Sequence, residues 1–410
     1  MGKYSCTAKT GDNQAEAYAE ICEDRIQISG GINAAVLYAD ISDMRLLNYT
    51  LILTLLKSDT SQKLFCRSSD SVCASPENKE AADRISDTDS HANVQAPGTD
   101  GADITKSEYT VEISKLGYET ENFFENLWEA YAKKSREALF VTEAPLIDTE
   151  GDYFFEEVMN KADFLSAASG KEALSLPEDT YLLKKGIAKL SLCSDCVCLF
   201  PHNIYGRRIP LCFSTEPIRD GFEISLSLDT GERYGFSRLG FNTDHFFERM
   251  IKFRGETVKK WRVAHELLER DLDKRIGSKD ASLKAFRESG ANVVSGLFAP
   301  NDEEQFWIAA VNDGRAAVEL ITEEDTALYI YSFDIPKNTF ILRLRHAMEA
   351  VKKNRRLIYI PEEALMAEPL YRISVYRSPH VRFLRGCCEG RIIHTGAWED
   401  KVKEYLAGSR

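Results

Sequence analysis

The sequence predicts an α+β protein: two copies of a small antiparallel β unit, each followed by a helix, and then a separate α+β domain. Three observations predict it. Residues 113–131, ISKLGYETENFFENLWEAY, return at 236–254 as FSRLGFNTDHFFERMIKFR. Ser114, Leu116, Gly117, Thr120, Phe123, Phe124 and Glu125 thereby recur as Ser237, Leu239, Gly240, Thr243, Phe246, Phe247 and Glu248. The segments ahead of each copy match too: AEICEDRIQI (19–28) aligns with LSLCSDCVCL (190–199), and NYTLILTL (48–55) with GFEISLSL (221–228). Residues 288–410 carry no third copy. A repeat of this quality implies two copies of one structural unit.

In chain order, the first matched segment in each copy is a hairpin around a tight turn, Glu23-Asp24 in one and Ser194-Asp195 in the other. The next alternates apolar and polar residues, as a half-buried strand does. The hairpins lie 171 residues apart (Cys22 to Cys193), the next strands 173 (Tyr49 to Phe222), but the helices only 123 (Phe123 to Phe246). Copy one therefore holds about 50 extra residues between Leu55 and Tyr109. Rich in Ser, Asp, Ala and Thr, that stretch buries too little apolar surface to offset its ordering entropy, and it reads as a disordered loop. Its counterpart in copy two is the turn Asp229-Thr230-Gly231-Glu232.

Each helix is expected to start at an N-cap, Thr120 or Thr243, with Glu121 or Asp244 in the first turn. Phe123, Phe124, Leu127, Trp128 and Tyr131 form one apolar face; Phe246, Phe247, Met250 and Ile251 repeat it. Gly117 and Gly240 stand where strand turns into helix, a place that calls for positive φ. Residues 256–277 continue as a helix. Beyond it, 305–311, 315–321 and 326–333 read as three strands, and 337–353 as a helix, followed by a helix-rich region. The expected divisions are a first unit at 10–137 with its insertion at about 57–107, a connecting segment at 138–180, a second unit at 181–277, and an α+β domain at 288–410.

Composition sets the class. The chain has 410 residues, 43% hydrophobic and 29% charged, as in ordinary globular proteins, with a net charge of −13. That balance argues against a general nucleic-acid binder, because phosphate contacts need Lys and Arg in excess. No stretch reaches the apolar length of a membrane span, and no secretory leader is visible, so a cytoplasmic protein with reduced thiols is expected.

The order of strands and helix resembles the pleckstrin-homology-like (PH-like) superfold. The segments around SKLGYETENFF and SRLGFNTDHFF are also similar to those of a group of uncharacterised bacterial proteins with tandem PH-like domains. The resemblance covers roughly residues 10–255. It implies two small antiparallel barrels, each capped by a C-terminal helix, serving as binding or scaffolding modules with no catalytic residue to carry over. Phosphoinositide-binding members cluster Lys and Arg in the first hairpin loop. Here those loops read Cys22-Glu23-Asp24 and Cys193-Ser194-Asp195, so phosphoinositide binding is not expected.

Candidate chemistry is sparse. Cys193, Cys196 and Cys198 with His202 have the density of a zinc site, but zinc wants four converging ligands and no second CxxC completes the set. Strand cysteines are the favoured reading, with no metal and no cofactor. Arg372, Arg377, Arg382, Arg385 and Arg391, interleaved with aromatics, form the candidate patch for an anionic partner, against the reading of a solvated helix face. His245 and His265 are expected on exposed helix faces. There is no P-loop, GxGxxG or GxSxG. The expected function is non-enzymatic: protein or peptide binding, with peptides adding as a strand beside the helix. The alternatives are an undetected activity in residues 288–410, requiring a deep polar pocket with converging His, Cys, Asp or Glu, and acidic chaperoning of basic proteins.

Overall fold

In a computed structural model of the chain, the described residues are 2–56, 109–141, 143–159, 180–276, 280–297, 306–321, 327–351, 355–358 and 360–408. The expected disordered insertion at 57–107 lies outside them.

The first unit opens with β1 (Lys3–Thr10), β2 (Asn13–Ile21), β3 (Arg25–Gly30) and β4 (Ala34–Leu37). A 3-10 turn at Tyr38–Asp40 leads into β5 (Ile41–Leu47), β6 (Thr50–Leu55) and β7 (Tyr109–Ser114). The strands pair antiparallel in the order β4-β3-β2-β1-β7-β6-β5. Alternation drives the curl: Leu51, Leu53 and Leu55 of β6 are buried while the residues between them are half-buried. Helix α1 (Thr120–Ala138) lays Phe123, Phe124, Leu127, Trp128 and Tyr131 into the core that the sheet's inner face forms.

The second unit repeats this plan strand for strand. It runs β8 (Ile147–Met159), β9 (Thr180–Leu192), β10 (Cys196–Pro201), β11 (Arg207–Pro210), β12 (Ile218–Asp220), β13 (Glu223–Ser227) and β14 (Arg233–Ser237). Its order, β11-β10-β9-β8-β14-β13-β12, is the first unit's order exactly transposed. Both sheets are curled antiparallel half-barrels. Helix α2 (Asn242–Ile276) follows, with a kink at Asp271 (φ −112°).

Three expectations shift. The segment at 138–180 was expected to connect the units; it supplies β8 and the first residue of β9. The pattern IDTEGDYFFEEVM buries Ile147, Gly151, Tyr153 and Phe155 on one face of a strand, with Glu157 on that face paired to Arg207, and sets Asp148, Glu150, Asp152 and Glu156 on the other. The first unit likewise begins at Lys3, because β1 joins β2 to β7. Thr120 and Thr243 do not act as N-caps: each hydroxyl donates back to the carbonyl of Gly117 or Gly240, at 2.7 and 2.9 Å. Those glycines do take positive φ, 63° and 58°.

The last domain holds a five-stranded antiparallel sheet in the order β15 (Asn292–Leu297), β16 (Phe306–Asn312), β17 (Arg315–Ile321), β18 (Ala327–Ser332) and β19 (Cys388–Ile393). Every residue of β16 from Phe306 to Val311 is buried, so both faces of the sheet are covered. On one side lies α3 (Asp280–Glu288), which begins before the expected boundary at 288 and shares a core with Leu268 of α2. The other side carries α4 (Lys337–Ala350), α5 (Glu362–Ala367), α6 (Pro369–Tyr376) and α7 (Pro379–Cys387). The closing helix α8 (Trp398–Ala407) packs with α3, through Trp398, Val402 and Leu406. Among the described residues, no helix is long and apolar enough to cross a membrane.

Candidate functional site

Strand addition beside the helix does occur in this molecule, and it occurs inside it. The loop from Pro201 to Gly206, between β10 and β11, lies along the free edge of β5. The Met44 amide donates to the His202 carbonyl at 2.7 Å, and the Ile204 amide donates to the Ser42 carbonyl at 3.0 Å. Asp43 and Asn203 complete an antiparallel bridge. From the other side, α1 reaches the same loop: Trp128 Nε1 donates to the Phe200 carbonyl and the Tyr131 hydroxyl to the Asn203 carbonyl, both at 3.0 Å. His202 packs edge-on against Phe124 and Trp128, ring centres 4.9 and 4.0 Å away. Burial there pushes its pKa down to about 4, with a smaller push from Lys189.

The equivalent edge of the second unit differs at one decisive residue. Transposed by 173 positions, Met44 becomes Pro217, which has no amide hydrogen to donate. Tyr131, transposed by 123, becomes Arg254, which folds back to donate to the unit's own Ser214 carbonyl at 3.0 and 3.2 Å.

What the two units share is on their tips. Tyr118 and Phe241 occupy the same strand-to-helix corner and are 95% and 106% exposed. Tyr49 and Phe222 occupy the same β-turn, between β5 and β6 or β12 and β13, and are 71% and 76% exposed. In the first unit, Tyr49, Ser114, Lys115 and Tyr118 line one open depression. Each corner carries a cation, Lys115 or Arg238, held at positive φ (59° and 57°). Sequence reasoning used Tyr49 and Phe222 only to set the offset of the repeat and gave Tyr118 and Phe241 no role. The signal available was large apolar residues at turn positions, where solvent exposure is the rule.

The zinc candidates divide. Cys193, Cys196 and Cys198 converge, all three sulfurs lying within 4.8 Å of one another and fully buried. His202 is not among them, because its loop is committed to the first unit. Hydrogen bonds from Cys196 and then Cys198 pull the Cys193 thiol down to about 4, and the same contacts hold Cys196 and Cys198 protonated far above the usual thiol range.

The arginine patch does not form as a patch. Arg372 is buried and pairs with Asp40 of the first unit at 2.8 Å. Arg377 is buried and donates to the Tyr131 hydroxyl. Arg385 ties the carbonyls of Leu357 and Ile360 at 2.9 and 3.0 Å and meets Glu362. Arg382 is half-buried and only Arg391 is exposed. Arg372 on α6 and Arg377 just after it face the first unit, since α6 packs there through Ile373 beside Ala39 and Ala138, while Arg391 lies on β19.

The histidines are joints. His346 meets Asp229 at 2.6 Å and His380 meets Glu232 at 3.0 Å, their rings 4.7 Å apart. Burial disfavours the Glu232 charge, yet His380 and His346 together hold its carboxyl well below the usual range. Burial also pushes His346 down, against its bond to Asp229. The adjoining cavity, lined by Arg207, Glu232, Tyr234, His346, Arg377 and His380, holds about 30 Å³, room for a few waters. His265, expected at an exposed position, is buried against Trp261 (ring centres 4.3 Å), because α2 runs on to cover the last domain. His245 is exposed.

No protein-family model matches the chain, and no curated protein matches it.

Proposed function

We propose that both units are PH-like modules and that the protein is a non-catalytic scaffold, which binds a protein partner through its duplicated aromatic corners. The shared strand order followed by a core-packed helix supports the PH-like reading. The observation that carries the function is the pair Tyr49/Tyr118 and Phe222/Phe241. Four large aromatics stand in water at matched positions, while the units have diverged at inward positions such as Trp128/Ile251. Burying an exposed aromatic on a partner is among the largest single gains an interface offers. Two matched corners on one body suit a bivalent partner. Lys115 and Arg238 at these corners favour an acidic rim on the partner over a basic protein.

The alternative of an activity in the last domain draws little support from the histidine cavity, which holds about 30 Å³ and is lined as much by the second unit as by the last domain. The test is affinity capture with the wild-type chain and with Tyr118→Ser/Phe241→Ser, folding checked by circular dichroism, and Leu183→Ser as an exposed control. The double variant is expected to lose its partner, each corner costing ~2 kcal/mol, about 30-fold in affinity. Identical partners at identical affinity in both would refute the reading.

A further inference from the structure

We propose that Cys193, Cys196 and Cys198 form a three-thiolate site for a soft d10 metal ion, and that its geometry selects Cu(I). The sulfurs are assembled by a single hairpin. The Cys193 amide donates to the Cys196 carbonyl at 2.9 Å across the turn Ser194-Asp195, which sets these two side chains at the mouth of the hairpin. Cys198 follows two residues on, on the same face of β10. The Cys196 and Cys198 sulfurs stand 3.9 Å apart, and all three fit within 4.8 Å. Metal–sulfur bonds of about 2.3 Å bring coordinated sulfurs to separations of this size.

The hairpin turn does not require this cluster. The first unit closes the same hairpin with Cys22, and holds Arg25 and Gln27 where the second holds Cys196 and Cys198. The Cys22 amide donates to the Arg25 carbonyl at the same 2.9 Å. Two added thiols at one face of one copy therefore answer to something other than the turn.

A bound metal ion would displace the thiol protons of Cys196 and Cys198, and the surroundings can carry the charge this leaves. Across the strands, Cys198 is flanked by Ser191 and Arg208. The Arg208 guanidinium is tied to Asp195 at 2.6 Å and Glu349 at 3.3 Å, and Arg136 reaches Ser191 at 2.6 Å. Two cations thus border the sulfurs. Ala132 of α1, Leu139 just past its end and Phe200 of β10 close over them. A dry pocket with three sulfur ligands matches the preference of Cu(I) for soft, low-coordinate thiolate sites, whereas structural zinc takes four ligands. His202, the residue that would have completed a zinc set, is held by Trp128 and Phe124.

The experiment is a titration of the full-length protein, reduced and under anaerobic conditions, with Cu(I) against a chromophoric Cu(I) chelator. A parallel arm uses Zn(II) against a zinc indicator. One equivalent of Cu(I) retained against the chelator, with X-ray absorption showing a sulfur-only first shell, is the expected result. The bound equivalent is lost in Cys193→Ala/Cys196→Ala/Cys198→Ala and kept in Cys387→Ser/Cys388→Ser. Absence of retained Cu(I), retention of Zn(II) in place of Cu(I), or equal Cu(I) binding by the triple variant each overturns the assignment. If the triple variant does not fold, the wild-type absorption spectrum decides, and nitrogen or oxygen in the first shell overturns it.

Discussion

The two β units have the same strand order, the same corner and the same helix start, but opposite edges. In the first unit, the β5 edge donates and accepts with a loop of the second, under the cover of α1. In the second, Pro217 removes the matching donor and Arg254 turns inward onto Ser214. An open strand edge is a template for any extended chain. Here one edge is satisfied within the molecule and the other is blunted by a residue that cannot pair. The lesson is that a duplicated fold need not duplicate a binding mode. Strand addition became the joint between the copies, and the surface left in common is the pair of aromatic corners.

The comparison breaks most severely if the first edge is given the chemistry of the second. Met44→Pro removes the donor to His202 and leaves that carbonyl unpaired at the joint, so denaturant unfolding is expected to lose about 2–4 kcal/mol and to split into two transitions. Met44→Leu, which keeps the amide, should retain one transition. A milder perturbation is pH. His202 titrates at about 4 in the folded protein because it is buried, against about 6.5 in the unfolded chain. The unfolded state therefore binds more protons between those values, and stability falls as pH drops from about 6.5 through 4. At pH 5 the loss at this residue is on the order of 1 kcal/mol, allowing for its partial solvent access. His265, also depressed to about 4, and His346 move in the same direction, so His202→Gln should flatten only part of the profile. The smallest effect on stability is expected from Pro217→Ala, about 0.5–1 kcal/mol, because Pro217 is buried while Ile218, Arg219 and Asp220 beside it are exposed. Its signature is association: restored pairing at that edge should appear as concentration-dependent dimers in sedimentation velocity, and a strictly monomeric variant would argue that Pro217 has no such role.

The cysteines show how far sequence reasoning reaches. Period-two alternation places Cys196 and Cys198 on one face, and the repeat places Cys193 at the mouth of the turn. The convergence of three sulfurs follows from those two local rules. The fourth candidate, His202, was near in sequence and distant in role, because its loop leaves β10 and pairs with another unit. The arginine stretch failed for a related reason. Local charge density says nothing about which helix faces meet a neighbour, and α6 buried Arg372 against Asp40, 332 residues away in the chain.

By itself, the sequence determined what short-range rules govern: the two-fold repeat, the alternating strands, the apolar helix faces and the positive-φ glycines at the corners. Each depends on residues a few positions apart, whose side chains share a face through the strand or helix period alone. Only the tertiary structure decided that β8 belongs to the second unit, that a loop closes the first unit's edge, that two arginines are buried and that the histidines join domains. Those outcomes turn on pairings between residues tens to hundreds of positions apart. There, the need to satisfy every buried donor, acceptor and charge selects one arrangement among many that local pattern permits equally.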